Sequence, residues 1–213
     1  MNRSAAKITR EYGPFPDVGN VGGVAYDGRQ VWFAAGDKLC AFDPAGGTTQ
    51  RSIDVAAQAG TAFDGQHLFQ IVKDHIQKID PATGHVLATI PAPGGGSDSG
   101  LAWAEGTLWV GQYQDRKIHQ IDPRTGEILR TIESNRHVTG VTWVDGDLWH
   151  GTWEDDASEL RRIDPGTGDV LERLEMPPGV GVSGLESDGG DQFFCGGGNS
   201  GKVRVVQRPR RDS

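Results

Sequence analysis

This chain has little of what marks a nucleic-acid-binding, membrane or disulfide-stapled protein. Its 21 Lys and Arg are outnumbered by 29 Asp and Glu, and a net charge of −8 offers no basic face to phosphates, so no nucleic-acid partner is expected. The one basic cluster, Arg208-Pro-Arg210-Arg211, reads as a solvated tail over 208–213. No apolar run reaches membrane-spanning length, and residues 1–8 lack the apolar stretch of a secretory signal. A cytoplasmic protein with no membrane partner is expected. Two cysteines, Cys40 and Cys195, are too few for a disulfide framework. Two buried free thiols are the simpler reading, and a single bridge between them stays open. His67, His75, His85, His119 and His150 are scattered without ligand spacing, so neither a metal nor another cofactor is expected. Apolar residues nowhere recur at the helical period.

What the chain has is glycine and one repeated pattern. Residues 140–175 carry it most fully: Gly140-Val-Thr-Trp143, then Asp145-Gly146, then Leu148-Trp149, then Leu160-Arg-Arg-Ile163-Asp164-Pro165-Gly-Thr-Gly168, then Val170 to Leu174. Short β-branched and aromatic runs separated by Asp-Gly and Asp-Pro-x-x-Gly are four antiparallel strands joined by tight hairpins. The leading glycine recurs as Gly23, Gly60, Gly100, Gly140 and Gly184, and nine residues after each stands Trp32, Phe69, Trp109, Trp149 or Phe193. A period of roughly 40 residues marks radial or solenoid repetition.

There are five such starts but only four Asp-Pro turns, at Asp43, Asp80, Asp122 and Asp164. The missing outer strand is supplied from the other end, where residues 7–12 resemble residues 86–90. The prediction is an all-β, five-bladed β-propeller of four-stranded antiparallel blades, closed by the N-terminal strand joining the last blade, which removes open sheet edges. The whole chain, 1–213, forms one domain, with inner strands starting near 22, 59, 99, 139 and 183. A monomer is expected.

A repeat carries its own control, because residues recurring at one blade position are scaffold and those that break the row ask for another reason. Trp32, Trp109 and Trp149 share a position with Phe69 and Phe193, and Trp103 and Trp143 share one with Tyr26 and Phe63; both rows read as packing between blades. Trp153 belongs to neither row. Its equivalents are Gly36, Lys73, Tyr113 and Gly197, in the loop between the second and third strands. That loop shares a face with the segments leading into the inner strands, at the mouth of the central channel. Blades three and four present Gln112, Tyr113, Trp153 and Glu154 there, while blade five presents the glycine-rich Gly196 to Gly201 with Asn199. The expectation is a lopsided pocket, with Asn20, Gln58, Asp98, Ser99, His137, Thr139 and Ser183 as further polar lining.

The second break in pattern is Glu186, in a row otherwise made of Ala25, Ala62, Ala102 and Thr142. A carboxyl buried near the axis has a raised pKa unless cations or donors compensate. Glu186 is therefore the candidate general acid/base, with a structural carboxyl bonded to an arginine or to loop amides as the alternative. Gly196 to Lys202 starts like a phosphate loop, but Val203 replaces the magnesium-holding hydroxyl and no helix follows.

The grammar of residues 100–129, Gly-Leu-Ala-Trp through Leu-Trp to Lys-Ile-x-x-Ile-Asp-Pro-x-Thr-Gly-x-Ile-Leu, resembles the five-bladed glutaminyl cyclotransferase family of plants and bacteria, and more loosely the streptogramin lyase and gluconolactonase-like propellers. Of that family's inner-strand Asn-Glu-Leu-Glu-aromatic motif, Leu185 and Glu186 are kept. The resemblance implies cyclisation of an N-terminal glutamine with loss of ammonia. Glu186 would be the acid/base, Trp153 and Tyr113 the walls, and Asn199, Ser183 or His137 the donors, acting on a small-molecule or peptide substrate. The alternatives are a non-catalytic ligand-binding or protein-interaction propeller, and a lyase or lactonase-type enzyme.

Overall fold

The computed structural model describes residues 2–210. Every regular element among them is a β-strand, so no helix is long and apolar enough to cross a membrane. The chain opens with β1 (Asn2–Ala5) and β2 (Ile8–Tyr12). Blade one follows as β3 (Val24–Tyr26), β4 (Val31–Ala34), β5 (Leu39–Phe42) and β6 (Thr49–Ile53). Blade two is β7 (Thr61–Phe63), β8 (Leu68–Val72), β9 (His75–Ile79) and β10 (Val86–Pro91). Blade three is β11 (Asp98–Ala104), β12 (Thr107–Gln112), β13 (Lys117–Ile121) and β14 (Ile128–Glu133). Blade four is β15 (His137–Val144), β16 (Asp147–Glu154), β17 (Ala157–Ile163) and β18 (Val170–Glu175). Blade five has β19 (Leu185–Ser187), β20 (Gln192–Gly196) and β21 (Val203–Gln207), and β2 pairs antiparallel with β21 as its outer strand.

The recurring glycine marks where inner strands touch. A Cβ on Gly140 would press on the backbone of the next blade, 2.5 Å from the Gly184 carbonyl carbon, and one on Gly184 would sit 2.5 Å from the Gly22 oxygen. Around the ring each inner strand lies backbone against backbone on the next, which only a residue without a side chain permits. Outside this axis the blades meet through five apolar clusters, one per interface. The aromatic rows fill them, with Phe69 on Trp103 at 5.5 Å and Trp109 on Trp143 at 5.8 Å. Cys40 belongs to the layer between blades five and one, and Cys195 to the layer between four and five. Both thiols are free, buried in different layers.

Each Asp-Pro turn is closed twice. The side chains of Asp43, Asp80, Asp122 and Asp164 accept the amide two residues on at 2.7–2.8 Å. Their carbonyls accept from the turn glycine at 2.7–2.9 Å, and Gly47, Gly84, Gly126 and Gly168 all have φ between 76° and 81°. These turns also dock on the previous blade: Gly84 lies over Ile53 and Gly168 over Ile132. At the ring closure Gly47 lies over Tyr12, so β2 presents its tyrosine where β6, β10 and β14 present Ile53, Ile90 and Ile132.

One element has no counterpart in the sequence expectation. β1 adds a fifth strand to blade four, pairing parallel to β18 with Asn2 opposite Glu172 and Ala5 opposite Glu175. The first residues thus cover one blade before crossing to complete the next. The tail reading is corrected at Arg208: its guanidinium bonds Asp145 at 2.6 Å and the Gly190 carbonyl at 2.6 Å, so it is docked and not solvated. Residues 211–213 of that tail lie outside the described residues.

Candidate functional site

At the face where the inner strands begin, a cavity of about 600 Å³ opens over the axis, within the range of small-molecule sites. Its floor is the row just before the lattice glycines: Gly22, Ala59, Ser99, Thr139 and Ser183. Tyr113 and Trp153 line it from blades three and four, and Gly197, Gly198 and Asn199 from blade five. Trp153 ends up there because β16 runs on to Glu154, longer than the second strands of blades one and five. Its ring packs against Gly181, where a Cβ would sit 3.2 Å from it.

The only carboxyl lining this cavity among the described residues is Asp98. It is 7% exposed, and burial raises its pKa above the ordinary aspartate value against the opposing pull of donors from Gly94 and Gln112. The Gly94 amide donates to Oδ2 at 3.0 Å and Gln112 Nε2 to Oδ1 at 3.4 Å. Gln112 therefore sits behind Asp98, holding it, and does not itself line the space. Thr139 lines the floor, but its Oγ1 is buried, without a hydrogen-bond partner among the described residues, and lies against Gly151 instead of facing the space.

His137 and Glu154 form a brace behind the aromatic wall. The His137 ring stacks on Tyr113 at 4.5 Å, and its Nδ1 donates to the Tyr113 carbonyl at 2.9 Å. Arg116 Nη2 lies 3.4 Å from His137 Nε2 and donates to Glu154 Oε1 at 3.0 Å. Ser183 lines the floor, but its hydroxyl donates to the Val21 carbonyl at 2.6 Å and accepts the Gly198 amide at 3.1 Å. Asn199 presents its side chain at the exposed rim. Arg204 also lines the cavity, its guanidinium Nε paired with Glu11 at 2.7 Å. The sequence signal for it was an arginine inside the otherwise apolar run of β21.

Glu186 is not brought to this cavity. Residues two past a lattice glycine face the neighbouring blade, and Glu186 accordingly accepts from Thr142 Oγ1 at 2.5 Å and from the Ser187 amide at 2.9 Å. The residue is half-buried while its carboxyl is enclosed by these donors and the Tyr26 backbone. Desolvation outweighs all three and pushes its pKa up to about 7. A carboxyl near 4.5 in the unfolded chain and near 7 in the fold binds its proton more tightly when folded. The stability it contributes is full at low pH and is lost as pH rises through 7. Glu186→Gln removes that loss: it is expected to raise stability by about 2 kcal/mol at pH 8 and by far less at pH 5, read from urea melts at both. Equal effects at the two pH values would contradict an enclosed carboxyl. Burial also pushes the Cys195 thiol up to about 12, which removes it as a nucleophile.

No family model matches the chain, and no curated protein matches it in sequence. In structure 1156 solved chains match, so the architecture alone selects no activity. One of them is the glutaminyl cyclase of Myxococcus xanthus, which superposes with a TM-score of 0.78 over 97% of each chain at 16% identity. This likeness establishes the shared fold: the chain is a five-bladed propeller like that cyclase.

Proposed function

We propose that the mouth cavity binds a small amide-bearing molecule or peptide N-terminus, and that it cyclises an N-terminal glutamine as the similar fold of the Myxococcus xanthus enzyme suggests. The observation that carries this reading is Asp98, a carboxyl of raised pKa lining a cavity with two aromatic walls. The raised pKa favours the protonated form needed for donation, and its ionised form is the matching acceptor. In the reaction the α-amine nitrogen attacks the γ-amide carbon, a ring C–N bond forms, and the bond to the amide nitrogen breaks. Asp98 accepts the amine proton and returns it to the departing nitrogen, which leaves as ammonia. Tyr113 and Trp153 hold the substrate's flat amide planes, and Asn199 at the rim offers an amide donor to the carbonyl oxygen as charge develops there.

The test is incubation with N-terminal glutaminyl peptides, following ammonia release and the mass of the peptide. Asp98→Asn is expected to lower kcat about a hundredfold, while Glu186→Gln keeps turnover. The converse result would return the acid/base role to Glu186. A second reading, binding without chemistry, is favoured by the donors already on both Asp98 oxygens. It predicts a thermal shift with glutaminyl peptides or pyroglutamate that disappears in Trp153→Ala, with no ammonia from the wild type.

A further inference from the structure

We propose that the blade-five side of the mouth cavity is a carboxylate subsite built on Arg204, and that the ligand spanning it and Asp98 is a short peptide with a free amine and a free C-terminal carboxylate. The proposal rests on the reading of Asp98 as the place of the peptide's amine. Among the described residues that line the cavity only two carry a formal charge, Asp98 on blade three and Arg204 on blade five. Those blades are not neighbours in the ring, and the ion pair of Arg204 is with Glu11.

Gly197 explains how the guanidinium comes to the mouth. By strand register this glycine holds the place of Gln112 in blade three and Thr152 in blade four, both buried side chains. In blade five the space goes to Arg204, since a Cβ on Gly197 would sit 2.6 Å from its Nη1. Gly197 has no positive φ that would itself demand glycine. Its missing side chain makes room for the arginine.

Arg161 provides the contrast. It holds the same register position in blade four, but its Nε donates to Glu159 at 2.8 Å, its Nη1 donates to Asn135 at 2.6 Å, and it does not line the cavity. Arg204 donates only its Nε, to Glu11 at 2.7 Å, and its Nη groups bond nothing among the described residues. Glu11 also holds Lys202 at 3.0 Å, so two cations share one carboxylate and a positive charge is left over beside the cavity. With Arg204 only 8% exposed, that charge is weakly screened, and the planar guanidinium matches a carboxylate in shape as well as sign.

The placing of the two charges selects the ligand's length. In a free amino acid the ammonium and carboxylate share one carbon, whereas a dipeptide puts a peptide unit between them, as charges on separate blades require. A cavity of about 600 Å³ limits the peptide to a few residues.

The experiment uses the full chain and three probes: glutaminyl-glycine, its C-terminal amide, and free glutamine. Binding is read by calorimetry, or as KM where ammonia is released. The dipeptide is expected to bind about tenfold more tightly than its amide and than free glutamine. Arg204→Gln should remove the preference over the amide, and Arg204→Lys should keep part of it. The acid and amide differ only in terminal charge, so the wild-type comparison decides the matter even where a variant fails to fold. An amide bound as tightly as the acid, or a preference that survives in folded Arg204→Gln, overturns the subsite; ammonia released from that amide leaves the cyclisation reading standing. Free glutamine bound as tightly as the dipeptide overturns the peptide assignment. Preference for the acid without ammonia supports the subsite and sinks the cyclisation instead, and no binding of any probe overturns both.

Discussion

Tyr12→Ala is expected to lower the stability of the folded ring by about 4 kcal/mol, in the range of large-to-small changes at buried aromatics. Tyr12 is 5% exposed and bridges the two ends of the chain. Its ring packs on Phe42 at 4.6 Å and under the Asp43 turn at Gly47, and its hydroxyl donates to the Pro44 carbonyl at 2.7 Å. Arg10 covers the outer side, 4.7 Å from the ring centroid, and caps the Ala45 carbonyl at 2.9 Å. With the Ser183–Val21 and Arg204–Glu11 contacts it joins the two ends of the chain, so its loss loosens the closing strand of blade five as well as leaving a cavity. Tyr12→Phe keeps the ring and gives up only the hydroxyl bond, about 1 kcal/mol. Urea unfolding followed by tryptophan fluorescence separates the two. Equal losses in both variants would mean that the hydroxyl, and not the packed ring, holds the closure.

Gly140→Ala tests the axis in the same assay and is expected to cost about 3 kcal/mol, at the upper end for overpacking. The added methyl meets the Gly184 carbonyl carbon at 2.5 Å and the Leu185 Cβ at 2.7 Å. Those are backbone and near-backbone atoms of the next inner strand, so relief requires moving a whole blade and not rotating a side chain. Gly46→Ala is the matched control, because a methyl there has nothing within 4 Å and no positive φ to strain. It should change stability by less than about 0.5 kcal/mol. A small effect at both positions would show that the inner strands are not packed as closely as the glycine row requires.

The fold was legible because a repeat states its grammar several times. The glycine row, the aromatic nine residues on and the Asp-Pro turns each have a local physical cause, and finding five starts against four turns located the closing strand at residues 7–12. β1 was illegible for the opposite reason. Asn2–Ala5 has no apolar alternation, and a parallel strand far from its partner in sequence leaves no hairpin signal.

The candidate site divides the same way. Trp153, Tyr113, Asp98, Asn199 and Ser183 line one cavity because their places on the blade lattice fix which end of the ring they occupy. What residue order could not decide is where each polar group finds its partner. The Ser183 proton goes to the Val21 carbonyl, His137 turns to brace Tyr113, and Gln112 holds Asp98 from behind. Glu186 and Asp98 look alike in the sequence, two acids in inner strands, and both pKa values are raised by burial. Sequence determined that each would sit near the axis. The place of Asp98 at strand entry already put it at the mouth; only the tertiary structure decided that the Glu186 carboxyl is closed off against the Thr142 hydroxyl of the next blade instead of reaching the cavity, because the partner that encloses it lies 44 residues away in the chain.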